Sequence, residues 1–355
     1  MISTDAVYLT HDQAGIGGTI KERPEDFIVE EQPLYQPSGE GEHCYLFVEK
    51  RGIDTREMAK ELAEHFGVRE RDVGVAGQKD AKAITRQLVS IHTPGKTIDS
   101  FPMLQHPSMG VLWADMHTNK LRMGHLKSNR FSIKIRGIDM TTAPRALAIV
   151  RTLEKLGVPN RFGVQRFGSR GDNHELGRAI LTGESRRKFG VGRRRLFLNA
   201  LQSAVFNEVL DRRIESGTLG EVCEGDLAWK HDSGSVFTVD ADAIRDQELR
   251  ARLASFEISP SGPMWGDKMS RCSGACDDGE VAALAKFELT PDDFARSSQS
   301  KLVPGVRRPL RIPLADADVE GGIDEHGGYV RLAFDLPPGS YATAVLREIM
   351  KTDDL

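Results

Sequence analysis

Residues 130–136 read RFSIKIR, with Phe131, Ile133 and Ile135 alternating against Ser132, Lys134 and Arg136. Successive strand side chains point to opposite faces, so this alternation predicts a strand with one face in a core and the other toward solvent. The same period recurs toward the N-terminus. Residues 27–32 (FIVEEQ) and 44–50 (CYLFVEK) read as strands, the second with Cys44, Leu46 and Val48 on one side and Tyr45 and Phe47 on the other. Residues 84–92 (ITRQLVSIH) return as another. Between them lies a helical pattern: Asp54 is placed to cap it with Glu57 as capping-box partner, Met58, Ala59, Leu62, Ala63 and Phe66 share one face, and Gly67 ends it. A second helix begins near Thr142 or Ala143, with Pro144 in its first turn, carries Leu147, Val150, Leu153 and Leu156, and stops at Gly157.

A chain of 355 residues exceeds one core and predicts about two domains. Hydrophobic residues at 39% and charged residues at 28% fit a soluble globular protein. No apolar run approaches the roughly 20 residues of a membrane span, and the first residues lack the basic and apolar regions of a secretion signal, so the cytoplasm is the expected location. Four scattered cysteines make no disulfide framework, and Cys272 and Cys276 without a second pair make no zinc motif, so reduced thiols and no metal are expected.

From about residue 160 the character changes. A glycine- and arginine-rich entry, NRFGVQRFGSRGDNHELGRAIL, contains Gln165, Arg166 and Arg170 and leads to a basic cluster of Arg186, Arg187, Lys188, Arg193, Arg194 and Arg195. A helix over about 196–213 buries Leu198, Leu201, Val205, Val209 and Leu210, and Arg307, Arg308 and Arg311 form a further basic group. Residues 259–267 (SPSGPMWGD) read as a turn-rich loop. The C-terminal LAFDLPPGSYATAVLREIM reads as a strand, a turn, and a helix capped by Ser340 with Val345, Leu346, Ile349 and Met350 inward. A net charge of −4 argues against indiscriminate coating of nucleic acid, while local patches of this kind suit phosphates.

The segment with most chemistry is GQKDAKAITRQ, residues 77–87, where Asp80 stands among Lys79, Lys82 and Arg86 beside a flexible Gly77. A carboxylate held among cations can be a nucleophile for an anionic substrate, and it can equally be one member of a surface ion-pair cluster.

Six segments together resemble the TruD pseudouridine synthases: PEDFIVEE (24–31), AGQKDAKAITRQ (76–87), KLRMGHLKSNRFSIKIRG (120–137), NRFGVQRFGSRGDNHELG (160–177), LFLNALQSAVFN (196–207) and LPPGSYATAVLRE (336–348), in the family's order. The resemblance implies an α/β (α+β) fold whose catalytic domain has a mixed, largely antiparallel sheet and is built from both ends of the chain. The catalytic domain would comprise residues 1–157 and 306–355, with a family-specific α/β domain inserted at 158–305, and the last helix would pack against the first strands. It implies isomerisation of uridine to pseudouridine in transfer RNA, at uridine 13 by the family's usual habit; no protein partner is implied, and oligomeric state stays open with a monomer favoured. That reaction breaks the bond from ribose C1′ to N1, turns the freed ring and rejoins it through C5. No atom is gained or lost, so no redox cofactor, metal or nucleotide is called for.

By the same resemblance Asp80 is the indispensable carboxylate, whether it attacks C1′, adds to C6 or removes the C2′ proton. Phe27 and Tyr341 are rings around the target base, Asn129 is a polar base or sugar contact, and Phe131 is the ring under the uracil. Core packing is the competing reading for Phe27 and Phe131, and a turn residue for Asn129. Tyr341 stands where some relatives have Phe. Lys21 is the first choice as the cation that keeps Asp80 ionised, with Lys79 and Arg86 as competitors. Arg166, Arg170, Arg193 and Arg194 suit RNA-backbone contacts. His92, His125 and His174 read as structural. Two other classes stay in view: an RNA-binding or RNA-folding protein without catalysis, which has no need of Asp80, and an aspartate-dependent glycoside hydrolase, which needs a second carboxylate from Asp26, Glu30 or Glu31.

Overall fold

In the computed structural model, which describes residues 7–79, 81 and 83–352, the chain groups into two units. One comprises Ile16–Ala148 and Leu314–Ser340, the other Met1–Gly15, Ile149–Pro313 and Tyr341–Leu355. This grouping sets both chain ends with the central stretch, whereas the expected division set them with the large sheet. The last helix accordingly engages the N-terminal segment before the first strand, with the amides of Leu9 and Thr10 donating to the Glu348 carboxylate at 3.1 and 3.0 Å.

The first unit is built on one eight-stranded sheet. Its strands are β1 (Phe27–Pro33), β2 (His43–Arg51), β3 (Val73–Val75), β4 (Ile84–His92), β5 (Met109–His117), β6 (Leu126–Arg136), β7 (Ala315–Asp324) and β8 (Gly327–Leu336). They lie in the order β7-β8-β6-β1-β4-β2-β5, with β3 also on β4. Only β1 and β4 run parallel among these pairs, so the sheet is mixed and largely antiparallel. Helix α1 (Thr55–Phe66) covers part of one face. Asp54 accepts from the amides of Arg56 and Glu57 as its cap, and Gly67 ends it at φ 64°. Its Met58, Leu62, Ala63 and Phe66 pack with Cys44, Leu46, Val48, Val89 and Ile91. The opposite face is also buried around Tyr45, Phe47 and Leu88, so β2 is a two-sided core strand and its alternation separates two cores.

Helix α2 (Ala143–Leu156) buries Ala146, Ile149, Val150 and Leu153, the i, i+3, i+4, i+7 stripe of one face. Leu147 and Leu156 lie off that stripe at 37% and 40% exposure, contrary to expectation.

In the second unit, helix α3 (Val191–Glu215) buries Leu198, Leu201, Val205, Val209 and Leu210 as expected. It starts five residues sooner than predicted, at a Gly190 cap, so Arg193, Arg194 and Arg195 belong to its opening turns. A four-stranded sheet pairs Val306–Pro309, Ile258–Met264, Leu227–Lys230 and Val236–Thr238 in that order. Ile258–Met264 therefore corrects the turn-rich loop expected there. Its two neighbours pair with different portions, 258–260 and 261–264, which gives Pro260 and Pro263 a flank where no ladder amide is required. Cys223 and Cys276 are joined as a disulfide, while Cys44 and Cys272 are free and buried. The expectation of reduced thiols fails for that pair because the fold apposes residues 53 positions apart. The C-terminal helix α4 (Ala342–Met350) buries Val345, Leu346, Ile349 and Met350, but its cap position is Tyr341, without a side-chain cap bond, and not Ser340. Among the described residues no helix is long and apolar enough to cross a membrane.

The PEDF motif owes one residue to the fold. Arg136 of β6 donates bidentately to Asp26 at 2.7 and 2.7 Å and to Asp324 at 2.9 and 2.9 Å, with Arg136 and Asp26 buried. Removing one member leaves a buried charge uncompensated, so Asp26→Ala should lower the unfolding free energy by about 3–5 kcal/mol in urea titrations. A loss below about 1 kcal/mol would remove this network from the fold's supports.

Candidate active site

On the face of the sheet that receives α1, four strands carry apolar rows that turn polar at neighbouring positions. Phe27 and Val29 lead to Glu31 on β1, and Ile135, Ile133 and Phe131 to Asn129 on β6. Cys44, Leu46 and Val48 lead to Lys50 on β2, and Ile91 and Val89 to Gln87 and Thr85 on β4. Cross-strand register aligns them: Glu31 faces Asn129, Lys50 faces Thr85, and Val48 faces Gln87. All of these polar residues are buried. The fold thus places a polar island within an apolar sheet face, where unpaired groups are costly and paired ones hold a defined geometry.

Lys79 reaches into this island. Its ammonium stands 2.9 Å from Glu31 Oε1 and donates to Asn129 Oδ1 at 2.5 Å. Gly77 keeps the approach open: a Cβ there would lie 2.8 Å from Glu31 Oε1 and 3.3 Å from Lys79 Nζ. Its requirement is close approach, not the flexibility expected of it.

The main chain around position 80 is held from both sides by the β2–α1 connection. The Lys79 amide donates to Thr55 Oγ1 at 2.8 Å, the buried Lys50 ammonium donates to the carbonyls of Ile53 at 2.7 Å and Lys79 at 3.3 Å, and the Gly52 amide donates to the Ala81 carbonyl at 3.2 Å. Asp80 itself and Lys82 lie outside the described residues. Three polar atoms of the island, Thr85 Oγ1, Gln87 Nε2 and the ion-paired Glu31 Oε1, have no hydrogen-bond partner among the described residues, so the island keeps unused hydrogen-bonding capacity.

The other expected site residues divide between the units. Lys21, Phe27, Phe131 and Asn129 lie in the sheet unit. Lys21 Nζ sits 4.5 Å from the Phe27 ring centroid, the Phe27 and Phe131 rings meet edge to face at 6.4 Å, and Phe131 stacks on Phe334 at 5.5 Å. At 6% and 7% exposure Phe27 and Phe131 are part of the packed interior. Arg86 faces the other side of the sheet, bonded to Glu49 at 2.8 Å and Glu30 at 3.1 Å, and Lys79 is bound to Glu31, so these two competitors of Lys21 have partners of their own. In the second unit, Tyr341 is 45% exposed. Arg170 and Arg193 are exposed, and Arg194 donates to Gln299 at 3.0 Å. Arg166 lies in a short turn over Val164–Phe167, its guanidinium 5.1 Å from the Phe162 centroid. His125 accepts or donates one bond to the Tyr35 hydroxyl at 3.0 Å, His174 is buried, and burial lowers its pKa.

Sequence reasoning passed over Lys50, Thr55, Gln87 and Phe334. For Lys50 and Gln87 a signal was present: each occupies the inward parity of its strand, where an apolar residue belongs. Thr55 carried none, because its bond to Lys79 spans 24 positions.

A family model described as tRNA pseudouridine synthase D (TruD) matches residues 3–191 and 192–349. The chain is 40% identical to the tRNA pseudouridine synthase D of Geobacter sp. (strain M21), covering 98% of this chain and 100% of that one. It is 42% identical to a tRNA pseudouridine synthase D of Thermus thermophilus, covering 98% and 93%. A crystal structure from Methanosarcina mazei, provisionally named tRNA pseudouridine synthase D, superposes with a TM-score of 0.82 at 25% identity, over 98% and 96% of the two chains.

Burial raises the Glu31 pKa above the usual carboxylate value, with Lys79 and the Leu88 amide pulling the other way. A raised pKa means that the folded protein holds this proton more tightly than the unfolded chain. The stability it contributes is complete below the unfolded value and is lost as pH rises through the folded one. Unfolding free energies measured in urea from about pH 4 to about pH 7 should therefore decline in the wild type relative to Glu31→Gln. A wild type that gains relative to the variant over that range would mean that Lys79 outweighs desolvation.

Proposed function

We propose that this chain, which belongs to the tRNA pseudouridine synthase D (TruD) family, is an isomerase converting uridine to pseudouridine in transfer RNA, with uridine 13 as its target. The observation that carries the reading is the family match over residues 3–191 and 192–349. The buried polar island beside position 80 supports it. In this reading the sheet unit, within the expected catalytic segments 1–157 and 306–355, performs the chemistry. The arginine-rich stretch of the segment 158–305 holds RNA backbone, and a transfer RNA substrate fits a cytoplasmic location.

Asp80 supplies the carboxylate that acts at the sugar while the glycosidic bond breaks and the uracil turns. Lys50 and Lys79 contribute two positive charges to the adjacent island and Glu31 one negative, and this excess of cation favours an ionised carboxylate at position 80. Lys50 and Gly52 bond the carbonyls of Lys79 and Ala81, which ties those two residues to the β2–α1 connection. A stacked uridine has to leave its helix at a cost of a few kcal/mol, which a pocket offsets through aromatic and polar contacts. Phe131, backed by Phe334, is the proposed platform. Asn129 beside it is the polar contact, and Phe27 under Lys21 forms the flank. Tyr341 is kept as an RNA contact on its motif and its exposure.

A glycoside hydrolase is disfavoured by the three acids nearest in sequence to the first strand. Asp26 is bound by Arg136, Glu30 by Arg86 and Glu31 by Lys79, which leaves none of them as a separate acid catalyst.

Asp80→Asn keeps the size and removes the charge. It should cut pseudouridine formation at least roughly a thousandfold, read as tritium release from C5-labelled, unmodified transfer RNA. A variant within tenfold of wild type would refute the role, and release of free uracil by the wild type would point to hydrolysis. Tyr341→Ala should lower activity while shifting the melting temperature little, since the ring is 45% exposed; a large drop in melting temperature at full activity would make the ring structural.

A further inference from the structure

Two arginines of the second unit share one aromatic ring without a counter-ion. Arg308, at the edge strand Val306–Pro309, places its guanidinium 4.4 Å from the Phe162 centroid, and Arg166 lies 5.1 Å from the same ring. Among the described residues neither stands within ion-pair distance of a carboxylate, although most arginines of this chain that are comparably buried do. One Arg308 Nη donates to Asn160 Oδ1, while its Nε–H is buried with no acceptor among the described residues. Burial lowers the Arg308 pKa to about 10, with Tyr341 opposing and Arg166 adding to the fall, so Arg308 stays a cation at neutral pH.

The support beneath these cations is rigid. Phe162 exchanges two hydrogen bonds with the Asn207 side chain of α3 at 3.0 and 2.9 Å and packs edge-on against Phe206. Asn160 is buried and fixed to the main chain of Pro309 and Leu310 at 2.9 and 2.9 Å. The N-terminus of α4 is also near: Thr343 Oγ1 would lie 3.6 Å from a Cβ on Gly163, and the first turn of that helix has no acidic residue. Two guanidinium groups against one ring, repelling each other and one of them with an orphaned N–H, are unfavourable without an anion.

We infer that Arg166 and Arg308, seated on Phe162, form a binding site for a phosphate group of the RNA backbone. The inference rests on the transfer RNA reading above and adds Arg308, with Asn160 as its positioning residue, to the RNA-contacting set. Planar forks of this kind match phosphate oxygens in pairs, and a phosphate would supply the acceptor that Arg308 Nε lacks.

The test is filter binding of unmodified transfer RNA to the full chain between about 50 and 200 mM salt. Arg166→Gln and Arg308→Gln should each weaken binding roughly tenfold and reduce the slope of log affinity against log salt by about 0.7–0.9. Arg308→Lys should restore the slope and only part of the affinity, because it keeps the charge and loses the fork. Arg296→Gln, an exposed arginine already paired with Asp292, serves as the charge control. If both glutamine variants match that control, the site is wrong. Should Arg308→Gln fail to fold, the half-exposed Arg166 decides alone. Competition by polyglutamate as effective as that by RNA would make this a carboxylate site and overturn the proposal. Stabilisation by inorganic phosphate without any effect of the variants on RNA affinity would reduce it to an adventitious ion site. A wild type that forms no pseudouridine would instead defeat the functional reading, so the two failures are separable.

Discussion

The ion pair between Lys79 and Glu31, completed by Asn129, is the constraint on which the candidate site depends. Two opposite charges buried at an apolar sheet face suffer a desolvation penalty that their attraction offsets only when geometry is tight and remaining bonds are filled. Here the attraction acts at 2.9 Å and the Asn129 carbonyl and the Leu88 amide add bonds, yet burial still outweighs them in the Glu31 pKa. Because the partners come from β1, β6 and the segment before β4, the pair locks a loop onto two strands. The loop cannot drift without stranding a charge. A site built this way exchanges stability for definition: an apolar trio of the same volume would hold the sheet as well without fixing the Lys79 side chain.

Much of the sheet was legible because its strands obey the period of two. RFSIKIR and CYLFVEK place Phe131, Ile133, Cys44, Leu46 and Val48 inside as their alternation requires. Helix ends were legible where a local cap fixes them, as at Asp54 and Gly67. They were misread where no local cap exists: α3 starts at a glycine without a side-chain bond, and α4 starts at Tyr341 beside a serine that attracts the assignment. Ile258–Met264 was hidden because two prolines and a glycine imitate a turn, and only the half-by-half pairing of its neighbours makes room for them. The island was the least legible part. Its bonds join residues 24, 29, 50 and 57 positions apart, and no local pattern encodes such separations. What the sequence did carry was a break of parity: a lysine after Val48 and a glutamate after Val29, each on the inward side.

Charge is handled differently in the second unit. A net charge of −4 hides stretches in which arginines gather at places that repel them. Arg193 and Arg195 open α3, whose N-terminus is already positive and whose first turn contains no acid. Arg166 and Arg308 meet over one ring. Neither arrangement has a carboxylate within ion-pair distance among the described residues. Arg307, by contrast, is satisfied internally by Glu280 and Ser261, so adjacent members of one basic run differ in their partners. Counting basic residues could not separate them; the presence or absence of a buried carboxylate partner does.

The same criterion clarifies the carboxylates around the sheet. Asp26 is clamped by Arg136, Glu30 by Arg86, and Glu31 by Lys79. Structural pairing thus accounts for each of these three acids. Lys50 stands in a different relation to position 80, because its ammonium donates to the carbonyls of Ile53 and Lys79 and so is aimed at the main chain immediately before it. A buried ammonium directed there projects its field toward the loop.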